Sequence, residues 1–345
     1  MKIIATLGPS SMKSNVLQDL INAGLDSVRL NFAHFHEEEF KKIVAEIRKS
    51  GRKIEIIGDL SGRKVRISDK VISAYKIYKD NIVYFCGEDM YDCLIKDEKI
   101  LKVMIPLNIR SYIIKNNNIE KISMKDDTMS FDILDQSHGI IKARVRDDGI
   151  IRAGKGCNIP KISLENDVLR EKDKKNIIWA LNNDFDALCQ SYVESENDII
   201  LLKEFTEKNN KKHKDMLYYG KIETEKGINN IERISDNIDG VIIARGDLMP
   251  ECGIKDAVRN QYIAIKKLKE KKYDSKIIIA THLLDSMIRN NKAQYTEVES
   301  LYGFIRNGIT GFLLAGEVSI GKYPLESFLF IKNLIRYYII DDLYR

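Results

Sequence analysis

Gly220-Lys-Ile-Glu-Thr224, followed one structural unit later by Gly240-Val-Ile-Ile-Ala-Arg-Gly-Asp-Leu248, decides how this chain is read. Alternate side chains of an extended strand share a face, so Lys221 and Glu223 project together from one strand end. The second apolar run, Gly240 to Ala244, ends in Arg245-Gly246-Asp247. If the two strands are neighbours in a parallel sheet, Glu223 and Asp247 can share a hard divalent cation with Lys221 beside it. One lysine and two carboxylates around a metal suit the handling of a phosphoryl group or an enolate. Taken alone, either motif reads equally as a surface salt-bridge cluster.

Working outward, the same alternation continues on both sides. Towards the C-terminus the spacing predicts a helix over Asp256 to Lys272, a strand over Lys276 to Leu284, and a helix over Thr296 to Asn307. A strand over Gly311 to Ala315 and a helix over Leu325 to Tyr338 follow. Towards the N-terminus it predicts a short helix over Ile228 to Ile234, a strand over Asp215 to Glu223, and helices over Glu196 to Lys208 and Glu171 to Asn183. A strand over Ala187 to Val193 separates those last two helices. The first third repeats the theme: strand Lys2 to Leu7, helix Ser14 to Ala23 with Ser14 as N-cap, strand Asp26 to Phe32. A helix over His36 to Ser50 and a strand over Lys53 to Leu60 complete it, with Gly24 and Gly51 as helix stops. Between Lys64 and Pro160 only short β-like runs occur, such as Ile82-Val-Tyr-Phe and Gly139-Ile-Ile-Lys-Ala-Arg-Val, without strong helical periodicity.

Setting that stretch aside leaves eight strands alternating with helices. The fold class expected is therefore α/β: a (β/α)8 TIM barrel with an all-β domain inserted after the third barrel strand. The barrel would span 1–63 and 161–345, and the inserted β-barrel-like domain 64–160. Active sites of such barrels lie at the C-terminal ends of the strands, and Arg29, Asp59, Lys221, Glu223, Asp247, Thr281 and Glu317 all fall at or just past strand ends. Scattered surface charges have no reason to collect there.

Composition narrows the partners. The net charge of +5 is dispersed among 56 basic and 51 acidic residues, which argues against a nucleic-acid partner. Lysine runs such as Lys211-Lys-His-Lys214 and Lys269-Glu-Lys-Lys272 are brief and read as solvated surface. The five cysteines form no CxxC pair, which argues against a disulfide framework and a zinc site. No apolar run approaches the roughly 20 residues a membrane span needs, and Met1-Lys-Ile-Ile leads directly into a strand. A cytoplasmic protein with no membrane association is expected.

These motifs, in this order, resemble those of the pyruvate kinase family over nearly the whole chain. Ala5-Thr-Leu-Gly-Pro-Ser10 resembles its N-terminal signature, and Arg29-Leu-Asn-Phe-Ala-His34 its Arg-x-Asn-Phe-Ser-His motif. Lys221-Ile-Glu223 matches its lysine–glutamate pair, and Ala244-Arg-Gly-Asp-Leu248 is unchanged. Ile279-Ala-Thr-His-Leu-Leu284, Leu314-Ala-Gly-Glu317 and Gly321-Lys-Tyr-Pro-Leu325 resemble later segments of the family.

The resemblance implies transfer of a phosphoryl group from phosphoenolpyruvate to ADP, giving pyruvate and ATP. By it, Lys221 neutralises the phosphoryl group in transit and the enolate, Arg29 clamps the phosphate, and Glu223 and Asp247 hold Mg2+ or Mn2+. The N–H groups around Gly246 and the Thr281 hydroxyl would bind the substrate carboxylate. Thr6, Pro9, Asn31, His34, Arg66 and Lys172 match positions near the nucleotide, and the inserted domain would be a mobile lid.

Several departures qualify the expectation. The family's monovalent-cation site is degenerate: Asn31 and Asp59 remain, Ala33 and Leu60 supply no side-chain oxygen, and Lys64 stands where potassium-dependent members carry glutamate. A fixed ammonium can replace a bound monovalent cation, so K+ is not expected to be required. Asp59-Leu-Ser-Gly-Arg-Lys64 lacks the family's lysine and proline, Ala293-Gln-Tyr-Thr-Glu297 lacks its proline and arginine, and His282 replaces a glutamine. These differences leave open a related phosphotransferase acting on another enol, keto or hydroxy acid or another acceptor, or a non-catalytic ligand-binding relative. The resemblance stops at Arg345, short of the family's C-terminal regulatory domain, so no activation through that domain and a monomer or homodimer are expected.

Overall fold

The computed structural model describes residues 1–95, 103–164, 168–210, 215–271 and 276–343. The lysine run at 211–214 and Lys272 of the second run lie outside the described residues. The chain divides into two compact units: 1–62, 169–246 and 259–345 form one, and 63–168 with 247–258 the other.

The first unit is a closed barrel of eight parallel strands. In chain order they are β1 Lys2–Thr6, β2 Ser27–Asn31, β3 Glu55–Asp59, β4 Ala187–Gln190, β5 Leu217–Ile222, β6 Gly240–Ala244, β7 Lys276–Ala280 and β8 Gly311–Leu314. Each pairs with the next, and β1 closes on β8. Residues of β6 are buried throughout, as a parallel strand covered on both faces requires; this is why it reads as a continuous apolar run. Ile4, Ile57, Cys189, Tyr219, Ile242, Ile278 and Leu313 pack inside the barrel. Each large aliphatic side chain removed from water there contributes about 1.5–3 kcal/mol. The Tyr219 ring needs the space that Gly240 leaves, because a Cβ at Gly240 would lie 2.5 Å from it.

Helices between the strands bury one stripe each. Leu17, Leu20 and Ile21 of helix Ser14–Asn22 are fully buried, which is the spacing the sequence displays. Ser14 is the first helical residue and Lys13 takes the cap position, so the cap expected at Ser14 moves back by one. The single helix expected over 228–234 is two short ones, Glu225–Asn229 and Ile231–Ser235. Thr224 caps the first, and Asn230 between them donates its side-chain amide to the Glu194 carbonyl at 2.8 Å. The helix expected over 256–272 is found as Ile254–Glu270; a further helix, Arg245–Cys252, precedes it and was not expected, and Gly253 between them, with φ of +82°, stops it.

In the second unit a seven-stranded sheet runs in the order Val65–Arg66, Gly156–Asn158, Lys121–Met124, Met129–Ser137, Ile140–Val145, Ile82–Gly87, Met104–Leu107. A bridge from Ile67 to Leu107 brings its two edge strands together. Phe85, Ile105, Ile122, Phe131, Ile141 and Val145 are among its buried core. Among the described residues, the short helices Glu88–Leu94 and Ser111–Asn116 lie between strands of this sheet in the chain; both are too short to show a helical period in the sequence. None of the five cysteines takes part in a disulfide. Among the described residues no helix is long and apolar enough to cross a membrane.

Candidate functional site

In-register pairing of parallel strands brings four of the expected residues to one end of the barrel. Asn31 of β2 lies opposite Asp59 of β3, and Lys221 of β5 opposite Ile242 of β6. The Arg29 guanidinium donates to Thr6 Oγ1 at 3.0 Å and to Asp59 Oδ2 at 2.7 Å. On the other side of Asp59, Lys221 Nζ lies 3.3 Å from Oδ1, and it is 3.6 Å from Glu223 Oε1. The backbone N–H of Tyr192 donates to Glu223 Oε2 at 2.7 Å. Side chains of Asp59 and Glu223 are 3% and 2% exposed, so this is a desolvated cluster rather than a surface one.

Burial opposes the charge on Asp59, yet Arg29 and Lys221 outweigh it and hold the carboxyl below its usual range. Burial likewise opposes the charge on Lys221, and Asp59 and Glu223 outweigh it, raising the ammonium. Lys221 is therefore cationic at neutral pH. It can stabilise developing negative charge but is not available as a base there. Asp59 Oδ1 and Arg29 Nε are buried without a hydrogen bond among the described residues.

A second pair forms at the neighbouring strand ends. The Gly246 N–H donates to Thr281 Oγ1 at 2.7 Å, and that hydroxyl donates to the Ala280 carbonyl at 2.6 Å. The two groups expected to receive a carboxylate are thus together, the N–H donating to the hydroxyl oxygen and the hydroxyl to the Ala280 carbonyl. Thr281 and His282 carry φ of +65° and +52°, a left-handed backbone that costs a β-branched residue of order 1–3 kcal/mol. Arg245 holds both: its Nε donates to the Thr281 carbonyl at 3.0 Å and its Nη2 to the Thr281 and His282 carbonyls. Burial brings the Arg245 guanidinium down to about 10. His282 Nδ1 lies 2.7 Å from Asp285 Oδ2, and this contact holds the Asp285 carboxyl below its usual range.

The remaining expected residues have contacts of their own. Asn31 Oδ1 accepts from the Ala33 N–H at 3.0 Å, capping a short turn that carries exposed His34. Pro9 and Lys172 are exposed. Within the second unit, Arg66 donates to the Gly154 carbonyl at 3.0 Å, and Lys64 pairs with Asp247. Glu317 is buried and accepts from the N–H groups of Leu284 and Ala315, so its carboxylate shapes two turns. In the segment lacking the expected proline and arginine, Glu297 caps the backbone N–H of Gln294 at 2.7 Å and that of Ser286 at 2.8 Å.

Sequence reasoning missed Asp173. Fully buried, it accepts from the N–H groups of Ser61 at 3.0 Å and Gly62 at 2.9 Å, fixing the turn that follows Asp59. Nothing in its local spacing marks it.

The barrel-domain family of pyruvate kinase matches residues 1–328 of this chain. The pyruvate kinase of Geobacillus stearothermophilus is 30% identical over 332 residues, covering 94% of this chain and 54% of that protein. That of Staphylococcus haemolyticus is 28% identical over 347 residues, covering 96% and 56% respectively. The chain spans about half the length of the curated relatives it matches. A closed parallel barrel, charged side chains at the C-terminal ends of its strands and a family match over most of the chain agree: the chain belongs to the pyruvate kinase family.

Proposed function

We propose that the protein is a pyruvate kinase-type phosphotransferase that moves a phosphoryl group from phosphoenolpyruvate to ADP, with Mg2+ or Mn2+ and without a need for K+. The observation that carries this reading is the buried chain of Arg29, Asp59, Lys221 and Glu223. Two cations sharing one carboxylate in a desolvated site are pre-oriented and permanently charged, which is what a phosphoryl transition state and an enolate need. Arg29 would clamp the phosphate and Lys221 neutralise charge on the transferring group and the enol oxygen. The Gly246 N–H and Thr281 hydroxyl would orient the substrate carboxylate, and Thr6, Pro9, Asn31, His34, Arg66 and Lys172 would face the nucleotide.

Glu223 and Asp247 are the residues proposed to hold the divalent cation. Among the described residues no group of three or more His, Cys, Asp or Glu is arranged as a cage. Carboxylates together with substrate oxygens and water are the hard-oxygen donors that Mg2+ favours over an all-protein cage, so the chemistry of these two residues suits the ion. Such a cation, when bound, supplies Lewis-acid neutralisation of phosphate and enol oxygens.

The test is phosphoenolpyruvate consumption by the full chain with Mg2+ and a panel of nucleotides, followed by phosphorus NMR. Phosphoenolpyruvate with ADP as the best pair supports the reading. A better turnover with another acid or acceptor would favour the related-phosphotransferase reading, which the altered 61–64 and 293–297 segments motivate. A gain of about tenfold on adding KCl at constant ionic strength, about 1.4 kcal/mol of barrier, would overturn K+ independence.

A further inference from the structure

We propose that Lys64 is a built-in counter-ion that competes with the divalent cation for the Asp247 carboxylate, so that the ammonium lowers the affinity of this carboxylate for metal. The proposal rests on Asp247 being a metal ligand, as assigned above.

Its basis lies wholly within the second unit. Lys64 Nζ pairs with Asp247 Oδ1 and donates to Asn158 Oδ1 at 3.3 Å. Asn158 in turn donates its amide to the same Asp247 oxygen at 3.2 Å and to Glu251 Oε1 at 3.0 Å. One asparagine thus aligns the ammonium with the carboxylate.

The lysine is held in a slot rather than waving at the surface: its side chain is 9% exposed, against 25% for Asp247. The slot is made by Gly156, where an added Cβ would stand 2.8 Å from Lys64 Cε. Gly156 is fixed opposite Arg66, and Cys157 opposite Val65, by antiparallel pairing of Val65–Arg66 with Gly156–Asn158. Sheet register therefore delivers this ammonium to this carboxylate.

A desolvated lysine beside a carboxylate already supplies the charge that a metal would otherwise supply. A divalent ion on the Asp247 carboxylate would stand close to the Lys64 ammonium, and its double charge meets more repulsion than the two single charges that Asp59 holds together. Binding of a divalent ion then works against Lys64 in its slot, which weakens the apparent affinity of the free protein for metal. A lysine at this position consequently sets metal affinity directly, besides any effect on monovalent-cation dependence.

Mn2+ binding to the full chain without substrate, followed by titration calorimetry, tests this. Lys64→Met should bind Mn2+ at least about tenfold more tightly than the unmodified chain, about 1.4 kcal/mol. Gly156→Ala keeps the charge but fills the slot, and should tighten binding in the same direction by a smaller factor. In an Asp247→Asn background, Lys64→Met should have no effect, because the coupled partner is gone. Equal or weaker Mn2+ binding by both single variants overturns the proposal, as does a tightening that survives in the Asp247→Asn background. Should the unmodified chain still turn over phosphoenolpyruvate with Mn2+ in either case, the counter-ion inference fails alone. If neither Mn2+ binding nor turnover is found, the assignment of Asp247 falls and the inference with it.

Discussion

The barrel carries a buried polar cluster at each end, and the two are built on opposite principles. At the N-terminal end, Lys2 donates to Glu55 at 2.6 Å, the Tyr219 hydroxyl donates to Glu55 at 2.8 Å, and Lys276 donates to Tyr219 at 2.9 Å. Donors meet acceptors there around a tyrosine that fills the barrel floor. At the C-terminal end, Asp59 serves two cations at once, and both Asp59 Oδ1 and Arg29 Nε remain buried without a hydrogen bond among the described residues. Under the proposed function the C-terminal cluster is completed by a ligand, whereas the reciprocated N-terminal cluster serves stability.

The largest test of that contrast removes the cation at the incomplete end. Lys221→Met should lower phosphoenolpyruvate turnover by about 1,000-fold or more, about 4 kcal/mol of barrier, in a coupled pyruvate assay. Turnover within tenfold of the unmodified chain would mean that this end is structural too. Next in size, Asp59→Asn should lower stability to urea by about 3–4 kcal/mol at pH 7, because it leaves two buried cations without their shared anion. The depressed Asp59 carboxyl also sets a sign. Its contribution is present above the ordinary carboxylate value of 3.8 and is lost as pH falls through the lower folded value, so Asp59→Asn should flatten the acid limb of the stability curve.

Asp173 has the opposite slope. Burial lifts its carboxyl to about 6, against the N–H groups of Ser61 and Gly62, which favour the charged form. The folded chain then binds this proton more tightly than the unfolded one. Its contribution is full below about pH 4 and is lost as pH rises to about 6, up to about 3 kcal/mol. Asp173→Asn should remove that falling stretch from urea stability measured across pH 4 to 6. The smallest effect is expected at the reciprocated end: Tyr219→Phe should cost about 1–2 kcal/mol, a melting point lower by a few degrees, with turnover within about twofold.

How far these clusters could be read from the sequence depends on the range of the contacts that make them. The barrel was legible because strand and helix periods are local, and eight alternations survive the interruption between Lys64 and Pro160. Lys221 and Glu223 were legible because a spacing of two puts them on one strand face. The resemblance implied for Asp59 only a place in a degenerate monovalent-cation site; that it is also the counter-ion shared by Arg29 and Lys221 is seen in its contacts. That role depends on register between strands, which no local pattern records. Asp173 reaches Ser61 across 112 residues, and Lys64 reaches Asp247 across 183. Such pairings exist only once the chain has folded. The short helices at Glu88–Leu94 and Ser111–Asn116 escaped for another reason, since one or two turns give too few repeats to establish a period.

The left-handed turn at Thr281 and His282 has a practical consequence for anyone seeking a more heat-resistant version of this protein. Replacing strained non-glycine residues by glycine is a standard route to relieving backbone energy, and this turn would be a natural first choice. Thr281→Gly would relax the backbone and ease the demand on Arg245. It would also delete the hydroxyl that accepts from Gly246, so resilience is set against the substrate orientation proposed for that hydroxyl.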